Sequence, residues 1–166
     1  MEKLNNILKI VKNASIELGT IESGIRNRAI FHIGKAINRR QNEILEANKI
    51  DIQIAKDNGL STAMIERLTL NEDKIHSIAQ AMLDISMMES PVGEIIESYE
   101  HQNKMIINKV RVPFGVVCAI YESRPNVTID IACLCIKTGN ACVLRGGKEA
   151  LNTNKVIVKI MNMILL

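Results

Sequence analysis

Tryptophan is absent from the 166 residues, and only two Phe and two Tyr occur. The core must therefore be aliphatic, built from Ile, Leu, Val, Met and Ala. Single-stranded nucleic acid, which is held on aromatic stacking platforms, is not an expected partner. Charge of one sign is lacking as well. The 21 Lys and Arg against 18 Asp and Glu leave a net +3 with no basic block, so a nucleic-acid footprint is missing. No uninterrupted apolar stretch approaches the roughly 20 residues of a membrane span; the apolar tail from Val156 is broken by Lys159 and Asn162. The start, Met1-Glu2-Lys3-Leu4-Asn5-Asn6, is polar and has no signal-peptide core. A soluble cytoplasmic protein with no membrane partner is expected. The glycine fingerprints GxGxxG and GxxxxGK[ST] are also missing.

The four cysteines, Cys118, Cys133, Cys135 and Cys142, form no CxxC pair. His32, His76 and His101 are scattered and give no zinc spacing, so no metal site is expected. The cysteines read as small buried hydrophobes in a reducing compartment.

What is present is a chain of single-domain length with 47% hydrophobic residues, enough to bury a core. The first ninety residues read as helices. Leu4, Ile7, Leu8, Val11 and Leu18 lie on one helical stripe that Gly19 is expected to end with a left-handed cap. A second helix carries Ala29, Ile30, Ile33, Ala36 and Ile37. A third runs from about Arg40 to Lys56 with Ile44, Leu45, Ala47 and Ile54 inward, and Asn58-Gly59 stops it. Ser61 and Asn71 open a fourth and a fifth helix, the latter with Ile75, Ile78, Ala79, Met82 and Ile85 inward. After Pro91-Val92-Gly93, residues 94–100 and 104–112 read as a hairpin of mixed polarity that solvates an edge or pairs with another subunit. Residues 116–121 form an apolar run suited to a strand buried on both faces. A helix over about 127–137 follows, then a second strand at 141–145 and a last helix from Lys148 or Glu149. The final stretch, Lys159 to Leu166, reads as helix or as altered sequence. Strand, helix, strand, helix implies two parallel strands.

Parallel sheets bind ligands at the carboxyl ends of their strands, so the two following loops hold the candidate residues. In the first, Arg124 is a fixed cation. Asn126 is either a helix cap, a role open also to Thr128, or an amide donor to a developing oxyanion. The second, Arg145-Gly146-Gly147-Lys148-Glu149, is either an ordinary strand-to-helix turn or a phosphate cradle. There the glycines would admit a ligand, Arg145 and Lys148 would pair with phosphate, and Glu149 would accept from a ribose hydroxyl.

These loops contain recognisable blocks. Tyr121-Glu122-Ser123-Arg124-Pro125-Asn126-Val127-Thr128 resembles the signature of γ-glutamyl phosphate reductases, within the aldehyde dehydrogenase superfamily. Cys135 to Asn140, Leu144 to Ala150 and Arg111 to Val116 follow the family's order and spacing. So do Asn48 to Asp51, Ala55-Lys56, Arg67 to Leu70 and Pro91 to Glu94.

The resemblance implies an α/β, aldehyde-dehydrogenase-like fold. Residues 1–93 would be the helical part of the cofactor-binding domain, 94–112 a hairpin arm used in homo-oligomerisation, and 113–166 the first βαβα of a Rossmann-like sheet. It implies NADPH-dependent reduction of L-glutamyl 5-phosphate to glutamate 5-semialdehyde and phosphate, a step of proline biosynthesis, through a cysteine thiolate. Asn126 then resembles the oxyanion donor. Tyr121, Arg145, Gly146, Gly147, Lys148 and Glu149 resemble cofactor contacts, with NADP favoured by the two cations, and Arg124 is expected at the substrate. Family members are much longer, and none of the four cysteines matches the nucleophile's motif. The chain is therefore expected to be an N-terminal portion, inactive and marginally stable alone; the alternative is a non-catalytic remnant.

Overall fold

A computed structural model describes residues 2–165. Five helices come first: α1 (Glu2–Thr20), α2 (Ser23–Arg39), α3 (Gln41–Asp57), α4 (Thr62–Leu68) and α5 (Glu72–Met87). An antiparallel hairpin follows, β1 (Ile95–Glu100) and β2 (Ile106–Val110). Then come β3 (Val116–Ile120), α6 (Pro125–Lys137), β4 (Ala141–Arg145), a 3-10 turn (Lys148–Ala150) and α7 (Leu151–Leu165). β3 and β4 pair in parallel, with Val116 opposite Ala141 and Ile120 opposite Arg145. The expected order of elements and the parallel pair are both found. The stretch from Lys159 continues α7 as helix; Leu166, where that stretch ends, lies outside the described residues.

One apolar core joins the helical half to the strand-containing half. Ile30, Ile33 and Ile37 of α2 meet Ile75, Ala79 and Met82 of α5. Ile129 and Cys133 of α6 and Ile157 and Ile160 of α7 close the cluster. Periodicity located the α2 and α5 stripes because each repeats every three or four residues. Gly34 lets α2 and α5 approach: a Cβ there would stand 3.0 Å from the Ala79 carbonyl oxygen.

Five expectations need correction. The α1 stripe does not enter this core; Leu4, Ile7 and Leu8 are exposed. Nor does Gly19 take the left-handed conformation. The helix runs to Thr20, whose hydroxyl donates to the Glu17 carbonyl at 2.8 Å. On α3, Ile54 is exposed because the buried stripe is Ile44, Ala47, Asn48, Asp51 and Ala55, with polar residues at its middle. β3 is not buried on both faces: Val117 and Ala119 are half-covered, whereas Cys118 and Ile120 are exposed. A two-stranded sheet has one covered face, and the side chains alternate across it. Cys133 and Cys135 alone of the four thiols are buried; Cys142 is half-buried.

The turns follow their glycines at Gly59 (φ +69°) and Gly139 (φ +71°). The hairpin stands clear of the core, with every residue of β1 exposed.

The buried polar residues of α3 tie it to the end of α4 and the start of α7. Asp51 accepts at one oxygen from the Asn152 backbone N–H (3.1 Å) and side-chain amide (2.8 Å). Its other oxygen accepts from the Thr153 N–H (2.8 Å) and hydroxyl (2.6 Å). The carboxylate thus covers free N–H groups at the start of α7, where the helix dipole favours negative charge. Asn48, one turn earlier, donates to the Leu68 carbonyl (2.9 Å) and to the Thr153 hydroxyl (3.2 Å), and accepts from the Leu70 N–H (2.8 Å). Elsewhere, Lys137 donates to Asn27 at 2.7 Å and to the carbonyls of Ser86 and Met88 at the end of α5. Desolvation, then the nearby Arg26 charge, lowers the Lys137 pKa.

Asp51→Ala should lower the unfolding free energy by about 3 kcal/mol in urea titrations, since it leaves several buried donors unpaired. Asp51→Asn should cost about half as much. A loss below about 0.5 kcal/mol for the alanine variant would mean that α7 is held by its apolar face alone.

Candidate functional site

The two loops that leave β3 and β4 lie side by side. The Tyr121 N–H donates to the Arg145 carbonyl at 3.1 Å, extending the parallel ladder one step beyond the strands. Both glycines of the second loop face protein. A Cβ on Gly146 would stand 2.7 Å from the Asn154 amide nitrogen and 3.0 Å from the Tyr121 ring. One on Gly147 would overlap the Ser123 hydroxyl and lie 2.8 Å from the Glu149 carboxylate. Gly147 has an ordinary extended backbone, so it is space and not conformation that requires glycine here.

Three hydrogen bonds hold the loops together. Tyr121 bonds to the buried Thr128 hydroxyl at 2.7 Å, and Thr128 bonds to Asn154 of α7 at 2.8 Å. The Ser123 hydroxyl donates to Glu149. That bond, reinforced by Glu149's own backbone N–H, holds the Glu149 carboxyl below the usual carboxylate range.

Two clefts flank the first loop. One, of about 320 Å³, is lined by Met64, Arg67, Glu122, Ser123, Arg124, Gly147 and Glu149. Within it the Glu122 carboxylate lies between two guanidinium groups, 3.4 Å from Arg67 and 3.9 Å from Arg124. Arg145 and Lys148 are exposed next to this cleft in sequence. The other cleft, of about 420 Å³, holds Asn126 together with Arg67, Thr69, Lys74, Ser77 and Ile78. The candidate residues therefore separate: Arg124, Gly147 and Glu149 face one cleft, and Asn126 faces the other.

Neither Asn126 nor Thr128 caps α6. The helix begins at Pro125, whose fixed φ and missing N–H suit its first turn, and Arg124 holds the cap position without a side-chain bond. Asn126 sits within the first turn, and its amide donates to Asp130 at 3.2 Å. Burial raises the Asp130 pKa, and the Asn126 bond offsets part of that rise. This bond fixes the carboxamide's orientation.

Arg67, Lys74, Ser123 and Asn154 were not singled out by their sequence. Arg67 lies in one of the quoted blocks, but its meeting with Glu122 depends on a contact 55 residues away. No cysteine lines either cleft. Cys133 is pushed up to about 12 by burial and then by Asp130. Cys142 is raised by its hydrogen bond with Cys135 and by burial. Among the described residues, no group of three or more His, Cys, Asp or Glu is placed to hold a metal ion. No helix of the described residues is long and apolar enough to cross a membrane. The arrangement offers charge recognition and an amide donor, and it brings no thiol to either cleft.

No family model matches the chain. The curated "Gamma-glutamyl phosphate reductase" of Carboxydothermus hydrogenoformans is 45% identical over 161 residues, covering 97% of this chain and 39% of that protein. The Clostridium acetobutylicum protein of the same name is 44% identical over 94% of this chain and 37% of its own length. The chain thus spans about two fifths of the length of the curated relatives it matches. The crystal structure of gamma-glutamyl phosphate reductase from Thermotoga maritima superposes with a TM-score of 0.91 at 39% identity, over 95% of this chain and 38% of that one. The Saccharomyces cerevisiae enzyme gives 0.93 at 37%, over 96% and 41%. A probable aldehyde dehydrogenase from Listeria monocytogenes EGD-e shares the fold alone, with a TM-score of 0.69 at 17% identity, covering 98% of this chain and 33% of that one. The sequence is related to gamma-glutamyl phosphate reductases over nearly all of its length, and its fold is aldehyde-dehydrogenase-like.

Ionised Asp130 opposes folding at neutral pH, because its pKa is raised in the folded state; the cost disappears as pH falls through that raised value. Asp130→Asn should therefore raise the thermal midpoint at pH 7. Its advantage should shrink as the pH approaches about 4, near the ordinary aspartate range. An advantage that does not change with pH would show that the gain is not electrostatic.

Proposed function

We propose that this chain is the cofactor-binding portion of a reductase related to the gamma-glutamyl phosphate reductases, one that uses NADPH to convert L-glutamyl 5-phosphate into glutamate 5-semialdehyde and phosphate in proline biosynthesis. The observation that carries this reading is the pairing of the two strand-end loops. They set a polar, guanidinium-lined cleft beside a second cleft that contains an oriented carboxamide. Parallel sheets present ligands at this end.

Each residue then has a task. Tyr121, packed on Gly146 and bonded to Thr128, steadies the loop that borders the nucleotide crevice. Gly147 and Glu149 line it, and Glu149 is kept ionised by Ser123, ready to accept from a ribose hydroxyl. Arg145 and Lys148 are exposed cations suited to a 2′-phosphate, which would favour NADP over NAD. Asn126 donates to the oxygen that gains charge when the acyl group is attacked. Arg124, at the edge of the nucleotide cleft, meets an anionic group of the bound ligands.

The nicotinamide, when bound, supplies the hydride. The chain's own residues bind, orient and stabilise charge. The attacking thiolate must come from outside both clefts, because no cysteine lines them. Residues 1–93 and 113–166 together form the cofactor-binding unit, and the exposed hairpin between them pairs with another subunit. The setting is cytoplasmic.

The chain alone should bind NADPH and show no turnover when given glutamate 5-semialdehyde, phosphate and NADP. Alanine at Arg145 and Lys148 together should weaken NADPH by about tenfold or more while changing NADH little, as the loss of a charge-assisted phosphate contact predicts. Fluorescence titration of both nucleotides measures this. Equal losses would remove the 2′-phosphate assignment; no NADPH binding by the parent chain would leave the non-catalytic reading.

A further inference from the structure

We propose that Arg67 and Lys74 form a phosphate-recognition site in the cleft that holds Asn126, and that this site receives the phosphoryl group of the acyl phosphate. The proposal rests on the reductase reading above and names the residues that meet the substrate's phosphate.

Position is the first argument. Arg67 belongs to the last turn of α4 and Lys74 to the first turn of α5, and both line the cleft that contains Asn126. In an acyl phosphate the bridging oxygen is bonded directly to the carbonyl carbon. A group that hydrogen-bonds the carbonyl oxygen and groups that neutralise the phosphoryl must therefore share one cleft. Arg124, the cation next to Asn126 in sequence, lines the other cleft with Gly147 and Glu149.

Available donors are the second argument. Lys74 Nζ donates to the Thr69 carbonyl at 2.7 Å and to the Glu66 carbonyl at 3.4 Å. An ammonium carries three hydrogens, so one is left for a ligand while the other two hold the group at the cleft wall. Arg67 makes a 3.4 Å contact with Glu122, and both side chains are more than half exposed. Such a pair is weak, so the guanidinium fork can turn to a phosphate and bind it through two parallel hydrogen bonds.

The hydroxyls contribute less. Ser77 donates to the Asp73 carbonyl at 2.8 Å and Thr69 to the Ile65 carbonyl at 2.6 Å. Asp73 also lines the cleft, and its carboxylate opposes an anion. Two cations against one carboxylate leave the lining net positive.

The site suits a leaving group. When a thiolate forms its bond to the acyl carbon, the bond from that carbon to the bridging oxygen breaks, and the electron pair departs on phosphate. Arg67 and Lys74 are placed to take up that charge.

The test uses the full chain, labelled with nitrogen-15, with inorganic phosphate, acetyl phosphate and acetate as probes and NADPH titrated in parallel. Phosphate and acetyl phosphate should shift the Asn126 side-chain amide and the Arg67 Nε resonance, and acetate should shift them far less. Arg67→Gln and Lys74→Gln should each weaken phosphate by at least about tenfold. Lys74→Gln should leave NADPH affinity unchanged, because Lys74 does not line the nucleotide-side cleft. If Lys74→Gln unfolds, as circular dichroism would reveal, Arg67→Gln decides the matter, since Arg67 makes only a surface contact. Phosphate binding that ignores the substitutions, is matched by acetate, or is missing from a parent chain that binds NADPH overturns the site. Phosphate binding without NADPH binding would instead refute the reductase reading and leave the anion site standing.

Discussion

A single buried carboxylate organises this structure. Asp51 projects from α3, in the first third of the chain, and takes four hydrogen bonds from Asn152 and Thr153 at the start of α7. A buried carboxylate is stable only when its oxygens are fully engaged, and here the donors come from the helix end that most favours negative charge. Because α7 follows directly on the glycine loop after β4, fixing its first turn fixes that loop. Asn48 extends the same lock to the end of α4, whose last turn carries Arg67. Both clefts thus depend on contacts made far from their walls.

The loop between β3 and α6 divides the site. Its first part, Glu122 to Arg124, faces the cleft containing Gly147 and Glu149; its continuation into the helix carries Asn126 into the other. Ligands held in the two clefts would meet at this loop. Arg67 borders both spaces. Its pairing with Glu122 makes the guanidinium responsive to whatever enters either side. The cations Arg26 and Lys137 lie elsewhere: Arg26 donates to the Ile21 carbonyl and the Ser90 hydroxyl while its buried Nε has no partner, and Lys137 donates to Asn27 and to the Ser86 and Met88 carbonyls.

The elements were legible because their signals are local. Apolar residues every three or four positions marked α2, α3 and α5, and Asn58-Gly59 and Gly139-Asn140 marked where helices stop. The two candidate loops were legible by position, at the ends of apolar runs. What remained hidden was non-local. Nothing near Leu4, Ile7 and Leu8 tells that their stripe faces away from the core. The polar Asn48 and Asp51 stand one turn apart in an otherwise apolar stripe, a visible irregularity whose partners lie from 20 to 105 residues further on. Pro125 carried the signal for the start of α6, which the neighbouring Asn126 and Thr128 obscured as more familiar capping residues. Cys118 and Ile120 read as core because an apolar run does not record how many layers cover a sheet.

The double glycine carries a consequence for how nucleotide preference can drift. Most strand-end loops accept side chains that reshape the pocket above them. Here the tyrosine ring, the asparagine amide and the serine hydroxyl already fill the volume a methyl group would need. Variation at positions 146 and 147 is closed by self-contact before any ligand arrives. Evolution, or an engineer, is left with the exposed flanking positions, Arg145 and Lys148. On the proposed reading, a switch of nucleotide charge preference would run through those exposed positions and the half-buried Glu149.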